Sequence, residues 1–216
     1  MSSSNTLTLD TLLSANPVVP VVVVDSADDG VQVGQALVAG GITTAEVTFR
    51  TAAAASAIAA MQEVDNLVVG AGTVINVEQA KAALDAGAKY IVSPGFSAEI
   101  VSFCQDAGVP VLPAATDASR IMEALAMGIN TIKFFPAVPS GGLPAIKALS
   151  APFPGLRFVP TGGVSANNLD SFLIVPAVAA CGGSWMVKTE LIRNGRWERI
   201  TELSAQAVQI AQGAGR

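Results

Sequence analysis

Histidine is absent from all 216 residues of the chain, and that absence removes several chemistries together. Ser-His-Asp and Cys-His nucleophile systems, histidine-rich catalytic zinc sites and imidazole acid/base work are all excluded. Proton chemistry must run through Glu, Asp, Lys, Tyr or water. Cysteine is almost as scarce. Cys104 and Cys181 stand in apolar surroundings, form no disulfide framework and read as small buried hydrophobes. Charged residues make up only 13%, about half the usual quarter. The net charge of −5 argues against a nucleic-acid or anionic-membrane partner, whose phosphates demand a basic face. The longest early apolar run, Val18 to Val24, is broken by Pro20 and is too short to span a bilayer. Met1-Ser2-Ser3-Ser4-Asn5 offers no basic flank for a signal peptide. A cytoplasmic chain is expected.

What the sequence does hold is apolar: 51% of it is hydrophobic, which excludes disorder and describes a heavily buried protein. Short runs rich in Val, Ile, Phe and Thr alternate with longer Ala-rich helical patterns. Strands are expected at Val18–Val24, Ala45–Phe49, Leu67–Ala71, Tyr90–Val92, Val109–Leu112, Thr131–Phe134, Arg157–Val159 and Ala177–Cys181. Helices are expected at Asp28–Val38, Ala52–Gln62, Val77–Asp85, Ala98–Gln105, Ala118–Ala126, Leu143–Leu149 and Asn167–Phe172, with a short first one over Leu7–Ala15 and a last one over Trp197–Ala211. Strands apolar on both faces imply helices on both sides of the chain path, the parallel arrangement. Ala39-Gly40, Ala86-Gly87, Ala107-Gly108 and Met127-Gly128 each end a helical run before a strand, where glycine suits a left-handed closing residue. Eight strand–helix units without a linker or composition break predict one domain, residues 1–216, folded as a (β/α)8 TIM barrel. A doubly wound open sheet is the other candidate, but no G-x-G-x-x-G turn supports it.

In such a barrel the C-terminal strand ends carry the active site. Those ends hold Asp25, Glu46 with Thr48 and Arg50, Thr73, Ser93, Thr116, Lys133, Thr161 and Ser184. Of the 12 basic residues, only Arg50 and Lys133 fall within or directly after the C-terminal half of an apolar strand. In Glu46-Val47-Thr48-Phe49-Arg50 the polar residues recur every second position, so they share a face directed at the barrel axis. The bland alternative is a structural Glu–Arg pair, which stabilises little for its desolvation cost. Lys133, followed by Phe134-Phe135-Pro136, is expected to be buried. Burial disfavours an ammonium, and Arg50 as a neighbouring cation would disfavour it further. A neutral amine in a pocket is a nucleophile suited to imine formation with a carbonyl substrate. The alternatives are a lysine that snorkels outward or one that pairs with Glu46.

The last two strands run into Pro160-Thr161-Gly162-Gly163-Val164 and Cys181-Gly182-Gly183-Ser184-Trp185. Two glycine pairs, each beside a hydroxyl residue, suggest turns whose amides surround a phosphate. Gly70-Ala71-Gly72-Thr73 gives a weaker indication that a substrate group approaches the backbone there.

Together these stretches resemble a known family. Pro17-Val18-Val19-Pro20-Val21, Ala45-Glu46-Val47-Thr48-Phe49-Arg50-Thr51, Val69-Gly70-Ala71-Gly72-Thr73-Val74, Val92-Ser93-Pro94-Gly95, Lys133-Phe134-Phe135-Pro136-Ala137 and the two glycine turns are similar, in order, to 2-keto-3-deoxy-6-phosphogluconate (KDPG) / 4-hydroxy-2-oxoglutarate aldolases. The resemblance runs from about Val18 to the C-terminus. It implies a (β/α)8 class I aldolase, without metal or cofactor, that forms a cytoplasmic homotrimer. The implied reaction cleaves the phosphorylated keto acid to pyruvate and glyceraldehyde 3-phosphate in the Entner–Doudoroff route. Lys133 matches the Schiff-base lysine and Glu46 the acid/base. Arg50, Thr73, Phe135 and Pro94 match the pyruvate side; Thr161, Gly162, Gly163, Gly182, Gly183 and Ser184 match the phosphate side. Two departures stand out: Ala114 where members often carry glycine, and Phe49 in a place commonly held by leucine. The first bears on substrate contacts from the Pro113–Asp117 loop, the second on packing. Rival readings are cleavage of unphosphorylated 4-hydroxy-2-oxoglutarate, a phosphate-binding synthase or isomerase working without an imine, and a non-catalytic phosphosugar-binding barrel.

Overall fold

Strand and helix alternate through residues 9–193 and a further helix follows; the computed structural model describes residues 7–216, and the Met1–Asn5 segment lies outside them. In chain order the elements are α1 (Leu9–Ala15), β1 (Val18–Val22), α2 (Ala27–Ala39), β2 (Thr44–Thr48), α3 (Ala54–Met61), β3 (Val68–Gly72), α4 (Val77–Asp85), β4 (Ile91–Val92), α5 (Ala98–Asp106) and β5 (Val111–Leu112). There follow α6 (Ala118–Ala126), β6 (Thr131–Phe134), α7 (Gly142–Ser150), β7 (Arg157–Pro160), α8 (Leu169–Leu173), β8 (Cys181–Gly183), α9 (Thr189–Arg193) and α10 (Trp197–Gly213). Side chains that compete with the backbone start several helices. Ser26, Asn76, Ser97 and Asp117 each accept a hydrogen bond from the backbone N–H three residues on.

Every strand pair is parallel. Six strands pair in the order β5-β4-β3-β2-β1-β8, and β6 pairs with β7. Glu46 stands in register with Val21 on one side and Gly70 on the other. Beyond β5, the Lys133 N–H donates to Pro113 O at 2.9 Å and the Ala115 N–H to Lys133 O at 3.0 Å. Beyond β7, the Phe158 N–H donates to Ala177 O at 2.7 Å and the Ala179 N–H to Phe158 O at 2.8 Å.

The period of two along each strand sorts side chains into two layers. Val18, Val22, Ala45, Val47, Val69, Ala71, Ile91, Ile132, Phe134 and Phe158 face outward into the larger core shared with the helices. Val19, Tyr90, Val92, Leu112 and Val159 form a smaller cluster on the concave face, joined by Leu12 and Leu13 of α1. Thr44, Glu46, Thr48, Thr131 and Lys133 share strand parity with that inner face and are all buried. Both faces are therefore covered, as the near-continuous apolar runs require.

Three expectations need correction. The last strand is Cys181–Gly183, not Ala177–Cys181, so the second glycine pair is strand rather than turn. A short helix, α9, was not expected: its apolar residues, Leu191 and Ile192, are adjacent and mark no helical face, unlike Leu169, Phe172 and Leu173 of the equally short α8. Gly87, Gly108 and Gly128 do take left-handed φ values of 96°, 66° and 77°. After α2, however, Gly40 keeps φ −85° and Gly41 takes the left-handed place, at φ 86°.

Candidate active site

β2 and β6 point one charge each into the concave face. Lys133 is 5% exposed and Glu46 2%. Across 87 residues of sequence, Lys133 Nζ donates to Glu46 Oε1 at 2.9 Å and to Oε2 at 3.2 Å. Of the neighbours expected for the amine, Arg50 as a nearby cation and Glu46 as the pairing alternative, the structure shows Glu46. Alternation along β2 brings Glu46 to the inner face as expected, and it is the pairing with Lys133 that accounts for its burial. The Lys133 amine also lies 5.6 Å from the centroid of the Phe135 ring. Buried charges persist only when paired and hydrogen-bonded, and each of these two supplies the other's partner.

Glycines make the room for this arrangement. A methyl group on Gly72 would fall on the Glu46 carboxylate, and one on Gly70 would fall on the Tyr90 ring. The Gly70-Ala71-Gly72 stretch thus clears space for two protein side chains, not for a substrate group. Tyr90 Oη and Thr44 Oγ1 are 3.0 Å apart, and Thr44 Oγ1 also donates to Val68 O at 2.9 Å. Burial pushes the Tyr90 phenol well above its ordinary range, so it stays a neutral hydrogen-bonding group. Neither Thr44 nor Tyr90 was expected at the site; the signal was strand parity, with Glu46 for Thr44 and with Val92 for Tyr90.

Arg50 follows β2 on an exposed turn, and its Nε donates to Thr73 Oγ1 at 3.2 Å. Thr73 holds φ 56°. A β-branched residue there is a backbone outlier costing about 1–3 kcal/mol, the kind that persists where the surroundings over-determine it. Arg50 borders a cavity of about 440 Å³ together with Val21, Val23, Phe135, Thr161, Gly162, Gly163, Gly183, Ser184 and Lys188. Gly162 and Gly163 turn left-handed, at φ 96° and 83°, and a methyl on Gly163 would lie 2.6 Å from Val138 Cβ. Among the described residues the N–H groups of Gly162 and Gly163 meet no acceptor. Ser184 is exposed at the same cavity.

Not every expected residue joins that lining. Gly182 lies in β8, and the space where its side chain would be is filled by Thr161. Pro94 borders a separate depression with Phe96, Thr116, Asp117 and Arg120. Phe135 lines both hollows and thereby links them. Lys133 and Glu46 lie outside both linings, adjoining them through Phe135. Lys188 belongs to the cavity but was missed, because the unrecognised α9 hid its return to the strand ends.

A family model described as "KDPG and KHG aldolase" matches residues 9–203. The chain belongs to that family. Among its relatives, a 2-dehydro-3-deoxy-phosphogluconate aldolase of Treponema pallidum is 48% identical over 194 residues, covering 89% of this chain and 92% of that protein. The KHG/KDPG aldolase of Escherichia coli K12 is 39% identical over 204 residues, covering 94% of this chain and 96% of that protein. Among solved structures, the KDPG aldolase of Legionella pneumophila, with pyruvate captured as a covalent carbinolamine, superposes with a TM-score of 0.88 at 40% identity. That match covers 92% of this chain and 97% of the other. Family membership agrees with the site: an amine and a carboxylate in contact on the concave face, next to a cavity rimmed by glycine turns. No helix of the described residues is long and apolar enough to cross a membrane.

Proposed function

We propose that the chain is a class I aldolase that cleaves 2-dehydro-3-deoxy-6-phosphogluconate to pyruvate and glyceraldehyde 3-phosphate, using Lys133 as the imine-forming residue. The observation that carries this reading is the buried Lys133–Glu46 contact at 2.9 Å. It seats a primary amine against a group able to take its proton, without any histidine. Lys133 Nζ, its proton passed to Glu46, adds to the C2 carbonyl; Glu46 then returns that proton to the hydroxyl, which leaves as water and gives a protonated imine beside an ionised carboxylate. Glu46, directly or through water, removes the C4 hydroxyl proton. The C3–C4 electrons flow into the imine as the aldehyde leaves, giving an enamine. A proton returned to C3 and addition of water to the imine release pyruvate and free the amine.

Arg50, held by Thr73, binds the substrate carboxylate as a charged fork, with Phe135 and Pro94 walling that side. Thr161, Gly162, Gly163, Gly183 and Ser184 receive the phosphate, and Gly182 lets the Thr161 side chain sit among them. The reading is supported by two left-handed glycines with free N–H groups beside exposed Ser184. We take the eight strands to close as a (β/α)8 barrel in one domain, since bridges Ala114–Lys133 and Thr161–Gly182 span the gaps between the two sheet segments. A cytoplasmic homotrimer working without metal or cofactor completes the proposal. A second reading, cleavage of 4-hydroxy-2-oxoglutarate as another activity of the same site, follows from the dual name of the Escherichia coli relative.

The test is borohydride reduction in the presence of pyruvate, followed by peptide mass mapping. A reduced adduct on Lys133 is expected, together with turnover that chelators leave intact. No adduct at Lys133, or activity lost to chelator, overturns the aldolase reading. Comparing kcat/KM on the two substrates ranks the two activities.

A further inference from the structure

We infer that Lys188 is a specificity-determining residue of the aldolase: its ammonium helps select phosphorylated over unphosphorylated keto acids. The inference rests on the aldolase reading and adds a cation to its phosphate end. Lys188 borders the same cavity as Gly162, Gly163 and Ser184, and that lining contains no Asp or Glu. Arg50 and Lys188 are its two basic residues, and Arg50 is turned to Thr73 Oγ1.

Of the next three arginines after Lys188, two are paired and the third, Arg196, has no carboxylate partner among the described residues but does not border the cavity. Arg193 holds Asp25 through Nε at 3.0 Å and Nη2 at 2.9 Å, and Arg199 holds Glu202 at 2.7 Å. Among the described residues Lys188 has no carboxylate within ion-pair distance. Its backbone is nevertheless fixed. The Lys188 carbonyl accepts from the Leu191 N–H at 2.8 Å and from the Ile192 N–H at 3.2 Å, and the Asp25–Arg193 pair ties α9 to the end of β1. An exposed lysine on an anchored backbone, bordering the same cavity as free amides and a hydroxyl, suits a dianion. Its long stem lets it follow the phosphate rather than dictate geometry, so its contribution falls on binding and not on bond cleavage.

The experiment compares wild type, Lys188→Ala, Lys188→Arg and a charge control, Lys81→Ala, on exposed α4 surface. Each is assayed with 2-dehydro-3-deoxy-6-phosphogluconate and with its unphosphorylated counterpart. A charge-assisted hydrogen bond at a partly wet site predicts a KM for the phosphorylated substrate raised about tenfold in Lys188→Ala. The ratio of kcat/KM values, phosphorylated over unphosphorylated, falls by the same factor. Added salt raises the wild-type KM more steeply than that of Lys188→Ala. Lys188→Arg restores the ratio, and Lys81→Ala keeps it. An unaltered ratio in Lys188→Ala, or equal losses on both substrates, overturns the inference alone. A wild-type protein that traps pyruvate yet does not cleave the phosphorylated keto acid overturns the reading beneath it as well.

Discussion

Replacing Lys133 by methionine is expected to destabilise the fold more than the loss of its packing would suggest, and a second substitution is expected to undo most of the damage. Charges 2.9 Å apart attract by about 6 kcal/mol at an effective dielectric of 20. That attraction offsets a desolvation penalty of several kcal/mol per ion, so the intact pair contributes little net stability. Lys133→Met removes the attraction but leaves Glu46, with a side chain 3% exposed, buried and unpaired. A loss of about 3–5 kcal/mol follows, a large share of the about 5–15 kcal/mol that holds a domain together. Combining Lys133→Met with Glu46→Gln removes the orphaned charge and should recover about 2 kcal/mol or more of that loss. Urea unfolding of wild type, both single variants and the double variant supplies the cycle, with midpoints read at constant m-value. Aldol cleavage should be abolished in Lys133→Met and in the double variant, so stability and activity part company. If Lys133→Met costs under about 1 kcal/mol, or if the double variant is the least stable of the four, the buried-pair reasoning is wrong.

Three further predictions rest on other contacts. Gly72→Ala places a methyl on the Glu46 carboxylate; activity should fall at least about tenfold while circular dichroism stays native-like, and a fully active variant would contradict the geometry. Thr73→Gly relieves a φ of 56° and should hold or raise Tm, with a stability gain no larger than about 1–3 kcal/mol. Without the hydroxyl that receives Arg50 Nε, KM for the keto acid should rise, and an unchanged KM would show that Arg50 needs no such anchor. Burial pushes the Cys104 thiol from 9.0 to about 11 and raises the Cys181 thiol further. Neither should react with a disulfide reagent at pH 8 until the chain unfolds. Because the unfolded thiol ionises first, stability falls as pH rises above about 9, through the interval up to about 11. Rapid labelling of native protein, or a flat stability profile there, would refute the assignment.

Strand parity was the most legible feature of the sequence. The alternation in Glu46-Val47-Thr48 and in Thr131-Ile132-Lys133 put Glu46 and Lys133 on inner faces, and the folded chain has them in contact. Parity left two charges open beside the amine, Arg50 as a neighbouring cation and Glu46 as a pairing partner. The folded chain has Glu46 there, because β2 ends at Thr48 and Arg50 lies beyond the pleat, on the turn. Lys188 was hidden for a different reason. The apolar residues of α9, Leu191 and Ile192, are adjacent and mark no helical face, and without that helix the chain after Ser184 looks like a connection leading away from the strand ends rather than one that returns a cation to them.

The glycines mark the deeper limit. Gly162 and Gly163 were correctly read as a turn, since left-handed φ values are a property of the residue itself. Gly70, Gly72, Gly182 and Gly183 are needed for a different reason: each leaves a space that another side chain fills, respectively Tyr90, Glu46, Thr161 and Trp185. An empty Cβ position has no periodicity and no charge, so its purpose is written in the neighbour that occupies it. For Gly70, Gly72 and Gly182 that neighbour comes from a different strand or its end. The same fact explains why the site cannot be transplanted by its polar residues alone. Glu46 reaches Lys133 only because β3 runs beneath it without a side chain at Gly72, so the carboxylate's position depends on a residue that contributes no functional group at all.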